Sequence, residues 1–312
     1  MKTKETPSYM IRDVTIPRKS PHFMKCRKAV RDLVKKESLT DVVVAFSGGA
    51  DSLALTAACL AEGLSVTTVC VNHNLQANSS EVAKNASQIA LSMGASTYII
   101  DVHVPSTGSM EAEARTLRYQ ALRKVAQGKK IMVGHTMNDQ AETLLLGVMR
   151  GKTTGMLEVN DDILRPLLTV RRSDTIGACD ELGLDYWSDP QNEDESYQRV
   201  FVRKTLIPTI QDKIGGDMIS TLSNAAQISQ EDNEFLDSLA EVTYDCNRLQ
   251  AMHVSIRRRS IVKMLHQNNV RVSTEVISSI DDMVMYWRGQ KSLQMDGKKI
   301  YRVKNMLYID SI

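Results

Sequence analysis

The sequence predicts an α/β protein: a doubly wound parallel sheet, followed by a smaller, mostly helical domain that ends in a short β-meander. Three observations predict it. Short β-branched apolar runs alternate with segments whose apolar residues recur at helical spacing. The first of these runs breaks on Ser47-Gly48-Gly49 and passes straight into a helical pattern. Beyond residue 214 the alternation stops and helical spacing takes over. Such alternation implies parallel strands with helices on both faces of the sheet.

Taken in order, residues 1–36 read as a basic arm and helix, because residues 1 to 40 carry eleven Lys or Arg against four acids. The arm lacks the apolar core of a secretory signal, and Glu5 and Asp13 argue against an organellar transit peptide, so a cytoplasmic protein is expected. The main domain spans 37–214. Its strands are expected at Val42–Phe46, Val66–Val71, Thr97–Val102, Ile131–Gly134 and Ile163–Leu168, with helices over Ser52–Glu62, Ser80–Met93, Met110–Ala126 and Asn138–Arg150. In such sheets the ligand binds beyond the carboxyl ends of the strands. Gly215 and Gly216 mark a hinge into the second domain, 215–312. There, 217–267 is helical in pattern, and "KSLQMDGKKIYRVKNMLYI" alternates around Gly297 and around Lys304-Asn305 as an antiparallel meander does.

Composition excludes several classes. Apolar residues make up 42% and charged residues 24% of the 312, and no run of 18 apolar residues could span a bilayer. The five cysteines are odd in number and form no C-x-x-C pair, which fits reduced, buried thiols rather than zinc binding, sulfur transfer or a disulfide framework. The net charge of +2 conceals segregation. Arg248, Arg257, Arg258, Arg259, Lys263 and Arg271 lie in 246–274 with no acid among them, whereas 180–195 is acidic. Clustered cations suit a polyphosphate partner such as RNA, and equally suit solvated helix faces. On the first reading, Arg257 to Arg259 contact the RNA.

The chemistry concentrates where the first strand breaks. Ser47, Gly48, Gly49, Ala50, Asp51 and Ser52 open a helix, so unpaired backbone N–H groups and the positive end of the helix dipole face one point. Glycine lets the main chain approach a phosphate, and the two serines can donate hydroxyl hydrogen bonds. Asp51 would repel a bare phosphate, so a carboxylate here implies a nucleotide carrying magnesium. A second glycine-rich stretch, "GVMRGKTTG", has one residue too few for a Walker phosphate loop. It also ends a helix rather than opening one, with Gly151 as its cap.

"SGGADS" resembles the signature of the N-type ATP pyrophosphatases, the PP-loop enzymes. "VNHNLQ", "MEAEARTLRYQAL", "GHTMNDQAETLLLGVMRG", "LRPLL" and "WSDPQNEDESYQRVFVRKTLIP" resemble one branch of them, the tRNA(Ile)-lysidine synthetases, in the family's order over roughly 41 to 210. The tail is similar only loosely to the family's small second domain. The resemblance implies a Rossmann-like PP-loop fold and a ligase using ATP with Mg2+. Its partners would be L-lysine and an isoleucine tRNA with a CAU anticodon. The C2 oxygen of the wobble cytidine is adenylated, pyrophosphate leaves, and the amine of lysine displaces AMP.

The residues suit that chemistry. His135 stands at a strand end facing the ligand crevice. Asp139 and Glu142 share a helix face, where they could position magnesium, the cytidine or the lysine ammonium, or merely be solvated acids. With Asp51 they form the expected metal set. Arg115 and Arg118 also share a face; Arg115 is expected near the α-phosphate or the cytidine oxygen, where a fixed guanidinium stabilises growing negative charge. Arg199 and Arg203, four residues apart, are expected to line a phosphate-facing stripe, the alternative being a solvated helix face. The sequence departs from the family at Asn72 (often Asp), Thr136 (usually His), Asn138 (often Asp) and Val200 (commonly Asn), which touches base contacts and RNA docking more than the pyrophosphatase step. Rival readings are a PP-loop tRNA thiolase, disfavoured by the absence of paired cysteines, an amidotransferase-type nucleotide synthetase, and a non-catalytic nucleotide sensor of the same fold. Whether the protein is a monomer or a homodimer is left open.

Overall fold

A computed structural model describes residues 9–11, 14–72, 79–102 and 110–312 of the chain. Residues 1–8 and 12–13 of the expected N-terminal arm, and His73 to Gln76 of "VNHNLQ", lie outside the described residues. The chain divides into two compact units, Met1–Gln227 and Ile228–Ile312.

The first unit begins with an antiparallel pair, β1 (Tyr9–Ile11) and β2 (Val14–Ile16), and then α1 (Pro21–Glu37). There follow β3 (Asp41–Ala45), α2 (Ala50–Ala61), β4 (Ser65–Asn72), α3 (Ser79–Met93), β5 (Ser96–Asp101), α4 (Met110–Ala126), β6 (Ile131–Val133) and α5 (Met137–Val148). The unit continues through β7 (Val159–Asn160), β8 (Ile163–Leu164), α6 (Arg172–Leu182), α7 (Gln198–Phe201), a π turn (Val202–Leu206), α8 (Ile207–Ile214) and the start of α9 (Met218–Leu239). Six strands form one sheet in the order β5-β4-β3-β6-β8-β7, parallel except for the edge strand β7. β3 therefore lies between β4, which follows it in sequence, and β6, which comes two crossovers later. Strand order reverses there, and the carboxyl ends of β3 and β6 open the crevice where such sheets bind ligands.

Successive β3 residues serve opposite faces. Val42 and Val44 join a core with Phe23 and Val30 of α1, Leu53 and Ala57 of α2, Ala90 of α3 and Ala178 of α6. Val43 joins Leu122 and Ala126 of α4 on the other face. The helix of the expected N-terminal segment is thus part of the main core. Its amino end is fixed by Glu181 of α6, which accepts from the backbone N–H of His22 (3.1 Å) and Phe23 (2.8 Å), an anion placed at the positive end of a helix.

The observed elements correct three expectations. The strand foreseen over Ile163–Leu168 pairs only at Ile163 and Leu164, because Pro166 carries no N–H for a ladder and opens a 3-10 turn to Thr169. The stretch 217–267 is not one helical run but α9, α10 (Cys246–Ala251) and α11 (Val254–Gln267). The division between units falls inside α9 rather than at Gly215-Gly216. Those glycines, both at positive φ, only turn the chain from α8 into α9. Met218, Ile219 and Leu222 of α9 then pack with Ala141, Val202 and Ile207 of the first unit.

The second unit adds α12 (Thr274–Met285) and the meander β9 (Leu293–Met295), β10 (Lys298–Val303) and β11 (Met306–Ser311), ordered β11-β10-β9. Positive φ at Asp296 and Gly297, and at Lys304, makes its two tight turns. Ile261, Leu265, Ile280, Val284, Ile300 and Leu307 fill its core. The buried Arg302 guanidinium donates to the carbonyls of Met283 (2.8 Å) and Val284 (2.7 Å), satisfying the open end of α12.

The cations expected to meet RNA are mostly spent inside this unit. Arg257, only 7% exposed, donates to Asp281 (2.5 Å), and Arg258 reaches the same carboxylate (3.2 Å). Arg259 pairs with Asp237 (2.8 Å), and Arg248 with Glu241. Every one of these acids lies outside 246–274, so a charge count along the sequence could not reveal the neutralisation.

Candidate active site

The loop after β3 is shaped by its own polar groups. Ser52 Oγ donates to the Gly49 carbonyl (2.9 Å) and accepts from Ser47 N (3.3 Å), while the Trp187 N–H holds the Gly48 carbonyl (3.0 Å). Gly48 sits at φ +79°, and a Cβ there would lie 2.7 Å from Ala86 Cβ, so only glycine fits. The first intrahelical bond is Leu53 N to Gly49 O, 3.0 Å. The N–H groups of Ala50, Asp51 and Ser52 therefore have no acceptor within the helix and stand at its positive end. Such an arrangement can cradle an anion, whereas the two serine hydroxyls, expected to donate to a phosphate, support the loop itself.

Behind the cradle three carboxylates meet three guanidiniums. Gly134, just past β6, lets the chain pass so close to α2 that a Cβ there would sit 3.0 Å from the Asp51 backbone. This proximity brings α5 beside Asp51. Asp139 Oδ2 accepts from Thr136 N and Oγ1, both 2.8 Å, fixing the start of α5. Its Oδ1 accepts from Arg172 (2.8 Å) and Arg199 (3.3 Å). Glu142, one turn on and 1% exposed, takes Arg172 (3.2 Å) and Arg203 (2.8 Å) on Oε1, with Arg199 (2.9 Å) and Arg203 (3.2 Å) on Oε2. Arg172 also lies 3.6 Å from Asp51, whose other oxygen accepts from Thr175 Oγ1.

Arg199 and Arg203 converge because α7 runs through the π turn into α8. Pro208 offers no N–H to the carbonyl four residues back, and the wider turn accommodates it. Asn138 Oδ1 accepts from Arg172 N (3.0 Å), and Thr136 caps α5. Asn72 Nδ2 donates to Asp101 (2.8 Å), where an aspartate would meet like charge. Val200 is buried. Four departures from the resembled pattern thus have local partners or packing.

The charges act on one another. Burial and the nearby Asp139 raise the Asp51 carboxyl above its ordinary value, against Arg172 and Thr175. Burial also opposes ionisation of Asp139, but Arg172 and Arg199 outweigh it and its pKa falls. Arg172 is held more firmly protonated: burial disfavours its charge, and Asp139, Glu142 and Asp51 more than compensate. His135 is pushed down to about 4 by burial, with Arg165, Arg199 and Arg115 adding to the effect and Asp139 opposing it. Its Nδ1 lies 3.3 Å from Arg165 Nε, an obligate donor, so the neutral ring carries its proton on Nε2. Arg115 is exposed on α4, its guanidinium 5.2 Å from the Tyr119 ring centre.

The structure therefore brings together Asp51, His135, Asp139, Glu142, Arg199 and Arg203, with Arg115 on an adjacent helix. Of the three carboxylates expected to hold metal, Asp139 and Glu142 face arginines here. Asp139 and Glu142 are saturated by guanidinium, backbone and hydroxyl donors, and among the described residues no group of three His, Cys, Asp or Glu could hold a metal ion. Asp51, its side chain 27% exposed at the cradle, still fits a magnesium ion that arrives on a polyphosphate.

Sequence reasoning missed Arg172, Arg165 and Thr175. Arg172 had a visible signal: Arg171-Arg172 opens a helix, where the dipole disfavours cations, and a cation kept there implies a nearby anion.

A parallel sheet whose order reverses over a Ser-Gly-Gly anion cradle defines the PP-loop class, and residues 23–210 match the PP-loop domain family. The chain is 40% identical over 296 residues to the tRNA(Ile)-lysidine synthase of Corynebacterium glutamicum, covering 90% of this chain and 91% of that one. It is 43% identical over 300 residues to that of Corynebacterium diphtheriae, covering 94% and 98%. Among solved structures, the U34-tRNA thiolase NcsA from Methanococcus maripaludis with its [4Fe-4S] cluster shares the fold at TM-score 0.56 and 16% identity, over 74% of this chain and 87% of that one. The chain belongs to the tRNA(Ile)-lysidine synthase family within the PP-loop enzymes, as the motif resemblance predicts.

Proposed function

We propose that the protein joins free L-lysine to C2 of the wobble cytidine in a CAU-anticodon isoleucine tRNA, converting ATP to AMP and pyrophosphate. The observation that carries this reading is the cradle at the β3–β6 switch point backed by the acid–guanidinium cluster, in a chain that follows lysidine synthases over nine-tenths of its length.

The cradle's N–H groups bind the β- and γ-phosphates, leaving the α-phosphorus facing outward. The cytidine O2 attacks it, the bond to pyrophosphate breaks, and the amine of lysine then displaces AMP from C2 and loses a proton. Asp51 is the carboxylate that would hold a magnesium ion carried in with ATP, which would supply charge neutralisation for the pyrophosphate leaving group. Arg115, exposed and clear of the acid cluster, stabilises charge at the α-phosphate. Neutral His135 presents Nε2–H as a hydrogen-bond donor to a substrate oxygen. It is not a base at that nitrogen, because Nδ1 already faces Arg165. Asp139 and Glu142 orient Arg172, Arg199 and Arg203 toward the phosphates.

Incubation with ATP, lysine and the CAU isoleucine tRNA tests this. Lysine-dependent AMP and pyrophosphate, with a tRNA mass gain of one lysine less one water, is the expected result. Recovery of ADP and orthophosphate, or nucleotide binding without turnover, overturns it.

A further inference from the structure

The meander of the second unit has two unlike faces. Along β10 and β11, Ile300, Arg302 and Leu307 point into the core, so the alternate residues Lys299, Tyr301, Val303, Met306, Tyr308 and Asp310 form the outer face. Tyr301 and Tyr308 are cross-strand partners with ring centres 5.5 Å apart and planes 18° from parallel. Lys299 Nζ stands 5.4 Å from the Tyr301 ring centre, and Tyr301 Oη donates to Asp310 (2.7 Å). Tyr308 remains 42% exposed, with Val303 at 47% and Met306 at 40% beside it.

An apolar, aromatic sheet face left open suits either a protein or a nucleic acid, and charge decides between them. From Arg288 to Ile312 the sequence has six cations, Arg288, Lys291, Lys298, Lys299, Arg302 and Lys304, against two acids, Asp296 and Asp310, the second of which accepts from Tyr301. Arg302 is buried, whereas Arg288, Lys291, Lys299 and Lys304 are exposed, and among the described residues none of these four is held in an ion pair. Lysine is depleted from protein–protein interfaces. Stacked aromatic rings flanked by unpaired lysines are instead what single-stranded nucleic acid requires: flat surfaces for bases and cations for the intervening phosphates.

We infer that this outer face is an RNA-binding platform, on which an unpaired base of the tRNA stacks against Tyr308 while Lys299 and Lys304 meet the adjoining phosphates. The inference rests on the proposed tRNA substrate and moves the second unit's RNA contact from Arg257–Arg259, which are internally paired, to the meander.

Filter binding of the full chain to CAU isoleucine tRNA tests it. Tyr308→Ala is expected to weaken binding about 10-fold, the scale of one lost base stack, and Tyr308→Phe, which keeps the ring, to bind as wild type. The double change Lys299→Ala and Lys304→Ala should flatten the slope of log affinity against log salt by about 1.4, at about 0.7 per single-strand phosphate contact. This pair carries the test should Tyr308→Ala melt early. Unchanged tRNA affinity and salt slope in these variants overturn the inference, and so does a loss of self-association in Tyr308→Ala with tRNA binding intact, which assigns the face to a second copy. If wild-type protein forms no lysine-dependent AMP while Tyr308→Ala still loses tRNA, the platform stands and the proposed activity falls. If wild type modifies tRNA and the variants bind normally, the platform alone falls.

Discussion

Because burial and Asp139 raise the Asp51 carboxyl, the folded protein binds more protons there than the unfolded chain just above the ordinary carboxyl value. Stability from this group therefore declines as pH rises through that window, and ionising Asp51 weakens the fold. Asp51→Asn should abolish pyrophosphate release while leaving the thermal midpoint at pH 7 unchanged or higher; a clear drop in midpoint would contradict the electrostatic assignment. His135 has the opposite sign. Its folded value of about 4 lies below the ordinary 6.5, so only the unfolded chain takes up the proton between them. Acidification from 6.5 towards 4 should then destabilise the fold, and the ring's NMR resonances should show it neutral at pH 6. A His135 titration centred near 6.5 would remove its role as a neutral donor. Arg172 meets three acids with one planar fork, which lysine cannot reproduce. Arg172→Lys should lower kcat about 100-fold, the scale of an ångström-sized misplacement, with a much smaller change in the thermal midpoint; full activity would show that the cluster tolerates a point charge.

At the scale of elements, the strands and helices up to α5 were legible because each is a periodic segment ended by local chemistry. Ser47-Gly48-Gly49 stops β3, and Gly134 stops β6. Asp51 and His135, which stand on those ends, drew attention for the same reason, whereas Asp139 and Glu142 stood out only through the family resemblance. What the sequence concealed were pairings across distance. Glu142 reads as a surface acid until Arg172, Arg199 and Arg203 arrive from α6, α7 and the π turn, and no spacing rule links residues 142 and 172. The same blindness made 246–274 look like an RNA-binding stripe, since Asp237 and Asp281 neutralise it from outside. One glycine ties the two visible ends together. Gly134→Ala would insert a methyl group 3.0 Å from the Asp51 backbone, which cannot yield as a side chain tip would. The expected result is impaired ATP turnover, measured as pyrophosphate release, with secondary structure by circular dichroism unchanged.

For the whole molecule, charge has two separate uses. In the second unit the Arg257–Asp281 pair is structural, each side chain 9% exposed. Arg257→Ala leaves the buried Asp281 carboxylate with only the half-exposed Arg258 and should cost about 3 kcal/mol in denaturant unfolding. A loss below about 1 kcal/mol, the scale of a solvent-exposed pair, would return Arg257 to the surface role the sequence alone suggests. In the first unit, Arg172, Arg199 and Arg203 balance Asp51, Asp139 and Glu142 one for one. That cluster is therefore close to electrically balanced before substrate enters, and by itself casts little long-range field by which a polyanion could find it. Recruitment must fall to cations elsewhere on the surface, so rising ionic strength should slow the encounter with tRNA yet hardly disturb turnover once the complex has formed.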